Sequence, residues 1–162
     1  MGVGKSSVGR LVAEQLRFEF VDTDDLIEQR TGRTVAEIFG SQGEPAFRAL
    51  ERDMAQELAL RSGLVIATGG GFICAPENLA SLREHALIVC LWASASEIWE
   101  LVKNQTHRPL LKAPDPKMRI AELLLERGPA YRQAGVLLNS EFRTPREVAQ
   151  QVIHHFHLAR KA

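Results

Sequence analysis

The sequence predicts a single α/β domain built on a parallel sheet, and three observations carry that expectation. The first ten residues, Met1-Gly-Val-Gly-Lys-Ser-Ser-Val-Gly-Arg10, read as the second half of a phosphate-binding loop, Gly-x-x-x-x-Gly-Lys-Ser/Thr, running straight into a helix. Two short, wholly apolar runs, Leu64–Ala67 and Leu87–Trp92, have the composition of strands buried in a parallel sheet. Amphipathic helical patterns flank these runs, and the chain of 162 residues suits one compact domain spanning 1–162.

In the opening loop each residue type has a physical reason. Glycines Gly2 and Gly4 let backbone N–H groups, with those of Val3 and Ser7, turn toward phosphate oxygens; Lys5 reaches the β- and γ-phosphates; the Ser6 hydroxyl is a ligand for Mg²⁺. The helix that follows repeats Val8, Leu11, Val12 and Leu16 at helical spacing and adds its positive dipole end. The motif's first glycine and its feeding strand fall before Met1, so the natural start is expected upstream.

Phe18, Phe20 and Val21 form a short strand that ends at Asp22-Thr23-Asp24-Asp25. A helix cap with first-turn carboxylates is one explanation of that acidic cluster. The other is that ligands of open α/β sheets sit beyond the carboxyl ends of strands, which turns one carboxylate to a water-bound Mg²⁺ and another to a hydroxyl. Leu26 and Ile27 lie in a helix stopping near Gly32; Thr34-Val-Ala-Glu37 is a capping box opening a short helix, broken at Gly40-Ser-Gln-Gly43. A long helix is expected from Glu44 to Arg61, with Phe47, Leu50, Met54, Ala55 and Leu58 on one side. Arg48 and Glu51 in it are spaced to pair, ordinarily as a surface salt bridge.

After the strand at Leu64–Ala67 comes Thr68-Gly69-Gly70-Gly71, more glycine than a flexible turn requires, which suggests backbone lying flat against a ligand. A helix is expected from Ala75 to Ala86, then the strand Leu87–Trp92, then a second capping box, Ser94-Ala-Ser-Glu97, opening a helix in which Trp99 is a core residue. Residues 104–116, with Pro109, Pro114 and Pro116, form a long loop suited to a lid, and Arg108 in it is either a solvated charge or a group that closes over a transferred phosphoryl. Lys117 to Tyr131 is helical, Val136–Leu138 a strand, and Thr144-Pro-Arg-Glu147 a third capping box at the head of the last helix. His154, His155 and His157 near its end read as helix C-terminal charges rather than metal ligands.

Twenty Lys plus Arg balance twenty Asp plus Glu, which argues against broad affinity for nucleic acid or acidic membranes. Cys74 and Cys90, far apart in apolar surroundings, fit neither a disulfide framework nor a metal site, and suit a reducing cytoplasm. No signal-peptide pattern or bilayer-length apolar run occurs.

Taken together, the Gly-Val-Gly-Lys-Ser-Ser loop, Asp22-Thr23-Asp24, Phe47-Arg48-x-x-Glu51, Thr68-Gly69-Gly70-Gly71, Arg108-Pro109-Leu110-Leu111 and Arg127-x-Pro129-x-Tyr131 resemble the shikimate kinase family in order and spacing, over nearly the whole chain. The resemblance implies a three-layer αβα P-loop kinase fold, with a parallel sheet of order 2-3-1-4-5 whose first strand is absent here. It implies transfer of the γ-phosphate of ATP to the 3-hydroxyl of shikimate in a cytoplasmic, monomeric enzyme that has no nucleic-acid or membrane partner. Lys5 and the loop amides would hold the phosphates, and Ser6 and Asp22 the Mg²⁺. Asp24 would be the base, with Arg48, Gly69, Gly70, Gly71 and Arg127 also on shikimate. Glu51 would orient Arg48, Arg108 would close on the γ-phosphate, and Phe39 and Phe47 would wall the substrate. The family's adenine-stacking arginine is replaced by Leu101, near Lys103, which leaves Pro145 and its neighbours as candidate adenine contacts. A kinase for another acceptor such as gluconate, or a non-catalytic module of the same fold, are the alternatives.

Overall fold

The computed structural model describes residues 2–104 and 113–161. In chain order these form α1 (Lys5–Leu16), β1 (Glu19–Asp22), α2 (Thr23–Thr31), α3 (Val35–Ala59), β2 (Leu64–Ala67), a 3-10 turn (Phe72–Cys74), α4 (Pro76–Arg83), β3 (Val89–Trp92), α5 (Ala95–Val102), α6 (Pro116–Tyr131), β4 (Val136–Asn139) and α7 (Pro145–Ala159). The α/β architecture follows the expected order.

Among the described residues the strand pairing is parallel, in two pairs: β1 beside β2, with Asp22 opposite Ala67, and β3 beside β4, with Trp92 opposite Asn139. Among the described residues no strand joins β2 to β3. Helix α1 spans the two pairs instead. Its Val8 and Val12 are buried against Val148 and Ala149 of α7, with Val65 of β2 and Leu91 of β3 packed on the same cluster. A larger core lies on the other side, where Val21, Ile27, Ile38, Phe47, Met54, Leu58 and Phe72 meet. Phe72 is fully buried in it, so truncation to alanine costs about 3–5 kcal/mol.

Several boundaries differ from the sequence reading for local reasons. Only Gly43, at φ 79°, leaves helical geometry; Gly40 to Gln42 continue the turn opened by the Thr34–Glu37 capping box, so α3 is two helices joined at one kinked residue. Helix α4 starts at Pro76, and β3 begins at Val89 rather than Leu87, because only from there does the ladder to β4 form. The second capping box is half made: Ser94 caps the Glu97 N–H, but its own N–H donates to Glu141 from the β4–α7 connection at 2.6 Å. The third box, Thr144 with Glu147, is complete. Helix α6 takes Asp115 as its cap, one residue earlier than expected. The lid at 104–116 falls largely outside the described residues, and Arg108 wholly so. Among the described residues no helix is long and apolar enough to cross a membrane.

Candidate functional site

The pairing of Asp22 with Ala67 fixes where chemistry can gather, because both strands release their chains at the same edge of the sheet. Thr23 and Asp24 leave β1 there, and Thr68 and Gly69 leave β2 beside them. The N-terminus of α1 faces the same edge through Asp22. Ser6 Oγ donates to Asp22 Oδ2 at 2.8 Å, while Asp22 Oδ1 accepts from the Asp24 N–H as the N-cap of α2. The cap reading therefore holds for Asp22 through Oδ1, while Oδ2 is turned to Ser6 at the start of α1.

The loop before α1 is shaped by its glycines and anchored by its valine. Gly2 and Gly4 take φ 70° and 77°, the left-handed region, and a Cβ on Gly2 would stand 2.5 Å from Val102 Cγ1. Val3 between them is buried with Ala93, Ile98, Val102 and Ile120. Gly4 is the N-cap of α1 and offers no side chain, and the first turn carries no acid. The N–H groups of Lys5, Ser6 and Ser7 thus end a positive dipole without a capping side chain, an arrangement suited to an anion.

Asp24 is part-buried beyond β1, with Oδ1 unpartnered. Burial pushes its carboxyl up from the ordinary value, Asp22 adds to this, Lys5 opposes it, and Glu28 and Asp25 push up further. A carboxylate made more basic in this way is suited to accept a proton from an alcohol.

The three glycines divide the rest of the site among them. A Cβ on Gly69 would meet Asp24 Oδ1 at 3.1 Å and Glu51 Oε1 at 3.3 Å. On Gly71 it would meet Arg48 Nη2 at 2.6 Å and Nη1 at 2.7 Å. Between them, the Gly70 carbonyl accepts from the Tyr131 hydroxyl at 2.7 Å. What this turn packs against in the structure is the protein's own carboxylates and guanidinium. Asn78, nearly fully buried, closes the segment by donating to the Phe72 carbonyl at 3.0 Å.

Arg48 and Glu51 are not a surface pair. Glu51 is 0 % exposed, its Oε2 accepts from Arg48 Nη1 at 2.6 Å, and its Oε1 has no partner. Burial pushes the Glu51 carboxyl up, and the hydrogen bond and charge of Arg48 hold it down in part. Arg48 also binds Glu44, through Nε at 3.0 Å and Nη2 at 2.6 Å. Arg127 and Tyr131 stand one turn apart on α6; burial pushes the Tyr131 hydroxyl up, and the nearby Arg127 opposes that shift. Phe47 is buried beside Arg48, with Phe39 packed on it at 4.8 Å between ring centroids.

This edge brings together Ser6, Asp22, Asp24, Arg48, Gly69, Gly70 and Gly71, with Arg127 one turn before Tyr131, whose hydroxyl bonds Gly70. Pro145 is the exposed first residue of α7, and Lys103 is engaged by Glu100. Cys74 is exposed within the field of Arg127 and Arg48 rather than apolar, and both cysteines are free. Glu44, Asn78 and the bond of Tyr131 to Gly70 went unread in the sequence; the signal for Tyr131 was its i, i+4 relation to Arg127.

A family model described as shikimate kinase matches residues 1–157. The chain belongs to the shikimate kinase family. It is 44 % identical over 156 residues to a shikimate kinase of Thermodesulfovibrio yellowstonii, covering 96 % of this chain and 90 % of that one. A shikimate kinase of Caldanaerobacter subterraneus subsp. tengcongensis is 43 % identical over 153 residues, covering 94 % and 90 %. Among solved structures, the Acinetobacter baumannii shikimate kinase in complex with shikimate superposes with a TM-score of 0.92 at 35 % identity, over 98 % of this chain and 89 % of that one. The Bacteroides thetaiotaomicron enzyme gives 0.86 at 32 % identity, over 96 % and 93 %. Membership makes this chain an ATP-dependent kinase, a phosphotransferase acting on an alcohol group of shikimate.

Proposed function

We propose that the edge formed by β1, β2 and the start of α1 transfers the γ-phosphate of ATP to the 3-hydroxyl of shikimate within a single domain, residues 1–162. The observation that carries this reading is the assembly of Asp24, Arg48 and Tyr131 on three successive glycines, next to the Ser6–Asp22 pair. Asp24 takes the proton of the attacking hydroxyl as its oxygen bonds to phosphorus and the bond to ADP breaks. Arg48 and Arg127 hold the planar carboxylate of shikimate, with Gly70 and Gly71 beside it, and Phe39 and Phe47 give that compartment an apolar wall. Lys5 and the N–H groups from Val3 to Ser7 hold the β- and γ-phosphates, and Arg108 adds positive charge to the transferred group. Phosphoryl transfer through a loose transition state needs positioning and charge more than covalent help.

For Mg²⁺ the donor set fits. Ser6 and Asp22 present two hard oxygens 2.8 Å apart, and magnesium is commonly held by one or two protein oxygens with water and phosphate completing its shell. Bound there, the ion would neutralise charge on the phosphates.

The test is shikimate-dependent release of ADP from Mg-ATP, combined with Arg48→Ala. Turnover that requires shikimate, and a variant that loses shikimate affinity while binding ADP normally, is the expected result. Equal loss of both ligands in Arg48→Ala would remove Arg48 from the substrate compartment.

A further inference from the structure

The guanidinium of Arg48 is held by two carboxylates of opposite character. Nη1 donates to Oε2 of Glu51, whose side chain is 0 % exposed. Nε and Nη2 both donate to Oε1 of Glu44, whose side chain is 60 % exposed. One face of the group is covered by Gly71. The Nε–Nη2 edge is therefore the outward one, and it has the forked geometry that suits a carboxylate. Glu44 follows the kink at Gly43 directly and sits one helical turn before Arg48, so its side chain can rotate into water without leaving a buried charge behind. Glu51 has no such freedom.

We infer that Glu44 is an internal competitor for the substrate carboxylate, holding the outward fork of Arg48 in the ligand-free protein and displaced from it when substrate binds. The inference rests on the role proposed for Arg48. Two carboxylates cannot accept from the same pair of N–H groups, and two like charges at that distance repel. Each binding event thus breaks the Glu44–Arg48 pair, and Glu44 sets the affinity of the compartment below what Arg48, held by Glu51, could provide. A ligand without a carboxylate has nothing with which to replace Glu44, so the same residue also favours acids over uncharged polyols.

The experiment measures shikimate dissociation by calorimetric titration, and KM values for shikimate and ATP, for the full chain and for Glu44→Gln, Glu44→Asp and Arg48→Ala. The expected result is an affinity for shikimate about two- to five-fold tighter in Glu44→Gln, the range an exposed ion pair spans, with the ATP KM unmoved. Glu44→Asp, one methylene too short to reach the fork, should follow Glu44→Gln. A role confined to bracing the helix or aiming Arg48 predicts the opposite sign, weaker shikimate binding in Glu44→Gln, and that result or an unchanged affinity overturns the inference. Arg48→Ala separates the two levels. If it leaves shikimate binding intact, the reading of Arg48 fails and takes Glu44 with it; if it weakens binding while Glu44→Gln does not tighten it, only the competitor role fails.

Discussion

The guanidinium of Arg48 rests on the bare Cα of Gly71, close enough that a methyl group there would stand 2.6 Å from Nη2. Gly71 itself has φ −96° and ψ −9°, a conformation open to any residue, so its need for glycine is steric rather than conformational. Gly71→Ala should therefore leave the backbone in place and push Arg48 out of aim. Losing a charge-assisted contact of this kind is worth about 1.5–3 kcal/mol, or roughly 10- to 150-fold in shikimate KM. Steady-state kinetics with ADP titration beside it will check this: nucleotide affinity should not change, and a shikimate KM within two-fold of the parent would show that Arg48 tolerates the methyl.

That relationship also shows what a sequence can and cannot disclose. The Lys5 helix, the strand before Asp22 and the capping boxes at Thr34 and Thr144 depend on neighbours within four residues, and were legible from spacing. The Arg48–Glu51 spacing was legible too, but not its burial, which depends on the 69–71 turn packing over Glu51. The Tyr131–Gly70 bond joins residues 61 apart in the chain and leaves no local periodicity to detect. Ser94 illustrates the same limit, since the acceptor for its N–H comes from Glu141 rather than from its own helix.

The Tyr131 hydroxyl donates to the Gly70 carbonyl, and burial pushes its pKa up against the opposing influence of Arg127. Under the proposed function it is a positioning residue, acting on the substrate compartment through Gly70. Tyr131→Phe keeps the ring and removes the bond to Gly70, which predicts a loss of about 1 kcal/mol in stability. A purely structural role would stop there. Positioning adds a rise of roughly 5-fold or more in shikimate KM with the ATP KM unchanged, measurable in the same kinetic assay.

Asp24 carries a cost that its chemistry explains. Burial, then the charge of Asp22, raises its carboxyl, against Lys5, with Glu28 and Asp25 reinforcing the shift. Because the folded-state value is raised, the stability linked to this group is fully present below its ordinary value of 3.8 and declines as pH climbs through the folded-state value. Asp24→Asn removes that decline. The variant should melt higher than the parent at neutral pH, with the gap closing toward acid, while turnover falls about 10²- to 10⁴-fold. Melting curves across pH check the first part; a variant less stable at neutral pH would contradict the sign.

Asp22 serves two ends with two oxygens, and a pair of substitutions can separate them. Oδ1 caps α2 through the Asp24 N–H, and Oδ2 accepts from Ser6 at the proposed magnesium position. Asparagine caps as well as aspartate, so Asp22→Asn should unfold in denaturant within about 0.5 kcal/mol of the parent, whereas Asp22→Ala should lose about 1 kcal/mol with the cap. Activity should not follow stability. Without the carboxylate charge, both variants should hold a divalent cation less well: the neutral amide oxygen of Asp22→Asn is a poorer ligand for a hard ion, and Asp22→Ala offers no side-chain oxygen at all. The Mg²⁺ concentration for half-maximal turnover is expected to rise by roughly ten-fold or more in Asp22→Asn, although its fold is as stable as the parent's. Should the magnesium dependence of Asp22→Asn match the parent while Asp22→Ala loses both stability and activity, Asp22 is a helix cap and the cation is held elsewhere.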